Sequence, residues 1–171
     1  MTMQQTDTVG LGELKLSSNK AQVFMVPNIG TGLAVVIYDP VKKLGGAAHI
    51  VLPESAMASP TAIPGAPNLP AKFADQAIPK ILEAFEQEGG SIKNCVIRIA
   101  GGSQLFNFGG GSGNILNVGA RNIAAVEAAL AQAGLTVAKK DTGGNKSRTL
   151  RFVLATGQVF VKQIGGQEYP L

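Results

Sequence analysis

Leu33-Ala34-Val35-Val36-Ile37-Tyr38-Asp39-Pro40 is the stretch from which the fold reads. Leu33–Ile37 is apolar without a break, which predicts a strand buried on both faces. Asp39-Pro40 marks a turn at its end, and Gly30-Thr31-Gly32 precedes it. Further candidate strands lie to either side: Val9–Leu16, Gln22–Val26, Ala47–Leu52, Cys95–Ile99, Thr136–Lys140, Thr149–Leu154 and Gln158–Gln163. Ala155-Thr156-Gly157 between the last two is a tight-hairpin signal. Two segments carry helical periodicity. In Ala71–Glu88, Phe73, Ala77, Ile78, Ile81, Leu82 and Phe85 share a face and Gly89-Gly90 offers a stop; in Ala120–Ala133 the stripe is Ile123, Val126, Leu130 and Ala133, ended by Gly134. One-sided helices belong on a sheet. Strands outnumber helices and hairpins sit at both ends. The pattern therefore predicts an α+β layered sandwich, a mixed β-sheet with helices packed on it, rather than a doubly wound parallel sheet.

The 171 residues fit one domain, 1–171, with a core that needs no metal or disulfide staple. The net charge of +4 is scattered and aromatics are only 5%, so no basic stripe points to nucleic acid. One cysteine, Cys95, and one histidine, His49, exclude an internal disulfide and the multi-ligand zinc sites, and no metal or cofactor is expected. Met1–Gly10 is polar, without a basic-then-apolar leader. Pro27, Asn28, Gly30, Thr31 and Gly32 interrupt the most apolar run, Val23–Tyr38, so no segment inserts in a membrane and a cytoplasmic location is expected. Gly143-Gly144-Asn145-Lys146-Ser147 fails as a phosphate loop because Asn145 precedes the lysine. Gly30-Thr31-Gly32 leads into a strand where a dinucleotide site needs a helix.

His49 is the one side chain that titrates near neutral pH without a large shift, and it lies within an apolar strand. Cys95 lies in another, as buried structural thiols do. Two loops have compositions suited to adaptable contact: Pro53–Pro70, with five prolines, and Gly109–Gly113, with four glycines.

The order of motifs resembles the CheD family of chemoreceptor glutamine deamidases. The resemblance begins with Val9-Gly10-Leu11-Gly12-Glu13 and Asn28-Ile29-Gly30-Thr31-Gly32-Leu33-Ala34-Val35. It continues through Tyr38-Asp39-Pro40, Gly45-Gly46-Ala47-Ala48-His49-Ile50-Val51-Leu52-Pro53 and Ile99-Ala100-Gly101-Gly102-Ser103. It ends with Val118-Gly119-Ala120-Arg121-Asn122, Asp141-Thr142-Gly143-Gly144-Asn145 and Thr156-Gly157-Gln158-Val159-Phe160-Val161-Lys162. It implies a layered α+β domain, hydrolysis of glutamine side chains on the cytoplasmic helices of chemoreceptors, and association with a CheC-like phosphatase.

The family's chemistry uses a cysteine thiolate to attack the carboxamide, a histidine to form the thiolate and protonate the departing ammonia, and a threonine to orient the imidazole. Backbone N–H groups of the glycine turn suit the oxyanion. The resemblance assigns the histidine to His49. It places Gly32 where the cysteine stands and Val26 where the threonine stands. Gly30, Thr31, Gly32, Gly101, Gly102 and Ser103 become the expected binding residues. Loss of a nucleophile in a triad-type enzyme costs on the order of 10⁶ in rate. The leading reading is a deamidase fold that has lost deamidation and binds chemoreceptors or a CheC-like phosphatase. The alternative is an active deamidase with a relocated nucleophile: Thr31, Cys95 or Ser103.

Overall fold

The computed structural model describes residues 3–57, 69–105 and 117–171. The Gly109–Gly113 loop and most of the Pro53–Pro70 loop lie outside the described residues. The elements run β1 (Gln5–Thr8), β2 (Leu14–Ser17), β3 (Gln22–Ile29), β4 (Leu33–Asp39), β5 (Leu44–Ile50), α1 (Ala74–Gln87), β6 (Val96–Gly101), α2 (Val118–Gln132), β7 (Val137–Thr142), β8 (Arg148–Val153), β9 (Gln158–Gln163) and β10 (Glu168–Pro170). They form two five-stranded sheets, ordered β1-β3-β8-β9-β10 and β2-β5-β4-β6-β7. Both are mixed: β1 runs parallel to β3 and β6 parallel to β7, and the other pairs are antiparallel.

The layers are helices, second sheet, first sheet, and β4 shows why its sequence has no polar alternation. Successive side chains of a strand point to opposite faces. Leu33, Val35 and Ile37 pack with Ile78, Ile81 and Phe85 of α1 and Val126 and Leu130 of α2. Ala34, Val36 and Tyr38 pack in the other direction, against Phe24, Val26, Leu150, Phe152 and Val161 of the first sheet. All seven residues of β4 are buried. β4 is the middle strand of its sheet, paired with β5 on one side and β6 on the other.

Asp39-Pro40 is the turn from β4 to β5. The Asp39 carboxylate, fully buried, accepts the amides of Val41, Lys42 and Ser91 at 2.9, 3.0 and 2.9 Å. Burial alone would raise its pKa, but these three donors outweigh burial and hold it below the ordinary value. Ala155-Thr156-Gly157 closes the β8–β9 hairpin as its sequence predicts.

Several elements differ from the sequence reading: β1 lies outside every predicted strand, β5 begins at Leu44 and α2 at Val118. Val9–Leu16 is not one strand: the Glu13 carboxylate accepts the Gly10 amide at 2.8 Å and Gly12 has φ +76°, so the chain turns and only Leu14 onward pairs with β5. α1 begins at Ala74 rather than Ala71, because Ala71 donates to Gly12 and Phe73 bridges to Leu52. β10, not predicted, lies along β9.

Candidate functional site

The Gly30–Gly32 turn joins β3 to β4 and so carries the chain from one sheet to the other. His49 lies on β5, opposite Ala34 of β4, and its side chain enters the layer between the sheets with that of Ala34. Val26, on β3, faces the same layer from the other side. A Cβ added to Gly32 would lie 3.2 Å from His49 Nε2. Position 32 thus faces the imidazole at near-contact range, and no side chain occupies the space between. The same Cβ would lie 2.5 Å from the Ile50 carbonyl oxygen. Gly32 has no positive φ, so crowding and not backbone conformation is what a side chain there would meet.

The turn is fastened by its carbonyls. Gly30 accepts from the Ser103 amide at 3.0 Å, Gly32 from the Gly102 amide at 2.7 Å, and Thr31 from Asn122 Nδ2 at 2.8 Å. Among the described residues, the N–H groups of Gly30, Thr31 and Gly32 donate to no protein acceptor. Uncommitted N–H groups on a tight turn suit a carbonyl oxygen or an anion. Gly30 and Thr31 are half-buried, and Gly32 is buried.

Gly101 and Gly102 end β6 beside this turn. Gly101 has φ +125°, and a Cβ there would strike the Gly32 carbonyl. Gly119 of α2 lies so close to the next segment that its Cβ would be 2.5 Å from the carbonyls of both Gly102 and Ser103. Ser103 is fully buried; its hydroxyl donates to the Lys146 carbonyl at 2.6 Å and accepts from Arg148 Nη1 at 2.8 Å. Arg148 also pairs with Asp141 at 3.2 Å, and Asp141 accepts from the Tyr169 hydroxyl. This buried chain of polar groups props the strand end under the turn.

His49 is 1% exposed and its Nε2 is buried without a hydrogen-bond partner among the described residues. Burial disfavours the imidazolium and lowers the pKa to about 4. At neutral pH the imidazole is uncharged. Cys95 sits just before β6, whose other end, Gly101, is the one that meets Leu33. Six residues of strand separate Cys95 from Gly101, about 20 Å. The Cys95 thiol donates to the Ile92 carbonyl at 3.1 Å, and burial raises its pKa. Among the described residues there is no cluster of metal-ligating side chains.

A family model described as CheD chemotactic sensory transduction matches residues 51–163. The chain is 34% identical to the probable chemoreceptor glutamine deamidase CheD of Symbiobacterium thermophilum over 171 residues, the whole of both chains. It is 33% identical to the chemoreceptor glutamine deamidase CheD of Thermotoga maritima over 160 residues, 94% of this chain and 93% of that one. A probable chemoreceptor glutamine deamidase CheD of Clostridium novyi is 36% identical over 157 residues, 92% of each chain. The chain belongs to the CheD family. The family model begins its match two residues after His49, so Val26, Gly32 and His49 lie before the matched span.

In this CheD chain the expected site residues fall in two groups. Gly30, Thr31, Gly32, His49, Gly101 and Gly102 gather at one end of the sheet pair. Cys95 is at the other end, and the Ser103 hydroxyl is directed into the Lys146–Arg148 network. Asn122, quoted in a motif without a role, and Arg148 are the polar residues that tie the region together. A signal for Asn122 was available: asparagine is a poor choice inside a helix unless its side chain has buried partners.

Proposed function

We propose that this CheD-family chain docks on the cytoplasmic helices of chemoreceptors through the Gly30–Gly32 turn and does not deamidate them. The observation that carries the reading is the pairing of His49 with a residue that has no side chain, while the chain's one thiol lies about 20 Å away along β6. Thioester chemistry needs sulfur within hydrogen-bond reach of the base. A relocated nucleophile has little support. The Ser103 hydroxyl is buried and doubly bonded, the Cys95 pKa is raised, and the Thr31 side chain belongs to the position before the one facing His49. On this reading Gly32 and Val26 stand where the family carries its cysteine and threonine, and His49 is a remnant base.

Binding does not need the sulfur. The turn N–H groups, which donate to no acceptor among the described residues, offer donors for a carbonyl oxygen, and the Gly101–Ser103 segment holds the turn in place. The chain, residues 1–171 as one module, works in the cytoplasm without a cofactor, and a CheC-like phosphatase is its second partner. No described helix is long and apolar enough to cross a membrane. The test is calorimetric titration with a glutamine-bearing receptor-helix peptide, using wild type and Thr31→Trp, which fills the turn. Binding to wild type, at least tenfold weaker in Thr31→Trp, with the peptide recovered chemically unchanged, is expected. Equal affinity of the two forms would remove the turn from the interface.

A further inference from the structure

We propose that Asn122 is the positioning residue that holds the Gly30–Gly32 turn in register with the strand end bearing His49. Its side chain is fully buried on α2. One amide nitrogen, Nδ2, donates to Thr31 O at 2.8 Å and to Val51 O at 2.9 Å. Thr31 adjoins Gly32, and Val51 lies two residues after His49. A single side chain therefore clasps the two segments that make the site.

The chemistry admits few alternatives. Two carbonyls converge on one amide nitrogen and need a donor with two hydrogens. Aspartate would oppose them with oxygen, and leucine would leave both without this donor. Asparagine answers both, but its own Oδ1 is buried with no hydrogen-bond partner among the described residues. That is a penalty a residue chosen only for packing would not carry. The reach of the clasp is fixed by Gly119, which seats the same helical turn directly on the Gly102–Ser103 backbone.

His49 supplies a readout. Burial is the one cause of its depressed pKa, so that pKa gauges how tightly this end of the sheet pair is sealed. It is the only histidine in the chain, and its imidazole proton signals need no assignment. The experiment titrates His49 by NMR in wild type, Asn122→Ala, Asn122→Ser and Asn117→Ala. Asn117 caps the same helix by accepting the Ala120 amide at 3.0 Å but touches neither carbonyl of the clasp. Its removal controls for general loosening of α2.

The His49 midpoint should rise by at least one pH unit in Asn122→Ala, by less in Asn122→Ser, and stay at the wild-type value in Asn117→Ala. An unchanged midpoint in both Asn122 variants, or an equal rise in Asn117→Ala, would overturn the assignment. If Asn122→Ala does not fold, Asn122→Ser decides by the same criterion. Receptor-helix affinity, measured alongside, bears on the docking reading alone. A midpoint shift with no wild-type binding would leave the clasp standing and remove the docking function.

Discussion

Mild acid should destabilise this protein through one side chain. His49 is buried and neutral, with its pKa lowered to about 4 from the ordinary 6.5. Above pH 6.5 neither folded nor unfolded chain carries its proton, and its contribution to stability is complete. As the pH falls through the window between the two values, the unfolded chain binds a proton that the folded chain refuses. Stability is therefore lost at up to about 1.4 kcal/mol per pH unit, and the loss ends near the folded value. The full window corresponds to about 3 kcal/mol, a large part of the roughly 5–15 kcal/mol that holds a domain together. At 1% exposure His49 has no solvent screening to reduce this. The carboxylates enter only at the acid end of this window. Asp39 and Glu168 have depressed pKa values, so their contributions are present above the ordinary carboxylate range and fall away only as the pH drops through it. Urea unfolding of wild type and His49→Gln, at steps from about pH 7 to about pH 4.5, isolates the effect; wild type should lose about 2–3 kcal/mol and the variant well under 1. Parallel losses in the two proteins would refute the burial argument.

Three further predictions concern the turn and its support. Gly32→Ala and Gly32→Cys push a Cβ to within 2.5 Å of the Ile50 carbonyl. Each should cost about 1–3 kcal/mol, at about 2–4 °C of melting temperature per kcal/mol, and calorimetric melting that matched wild type would show that the turn yields freely. Gly32→Cys alone should restore little deamidation, and Gly32→Cys with Val26→Thr should restore more, because only threonine offers a hydroxyl to orient His49; equal activity would refute that role for position 26. Asp141→Ala strands Arg148, whose side chain is 3% exposed, and should cost about 3–5 kcal/mol in chemical denaturation; a loss below about 1 kcal/mol would show that the network bears little of the fold.

The parts of the fold legible in the sequence are those set by local pattern. Leu33–Ile37 has no polar alternation because β4 is covered on both faces, and Ala155-Thr156-Gly157 supplies its own hairpin. The misread parts depend on distant partners. Val9–Leu16 has strand-like residues, but Glu13 folds back onto Gly10, and β10 exists only because β9 offers an edge. At the site, the histidine and the glycine turn could be named from motifs, whereas their distance could not. The Asn122 clasp joins residues 91 and 71 positions away from it, and no local pattern encodes such a reach. Ser103 was legible as a strand-end serine, but the burial of its hydroxyl comes from Arg148 and Lys146, two strands later in the chain.

The central claim is that a CheD-family scaffold here lacks a working nucleophile, and ammonia release tests it most directly. Purified protein and Cys95→Ala are each incubated with a glutamine-bearing chemoreceptor helix, and ammonia is followed together with the mass of the peptide. No ammonia above the protein-free blank and no glutamate in the peptide are expected, for either form. Stoichiometric ammonia with matching glutamate would contradict it. Persistence of that activity in Cys95→Ala would place the nucleophile elsewhere than sulfur, and its loss would place it at Cys95.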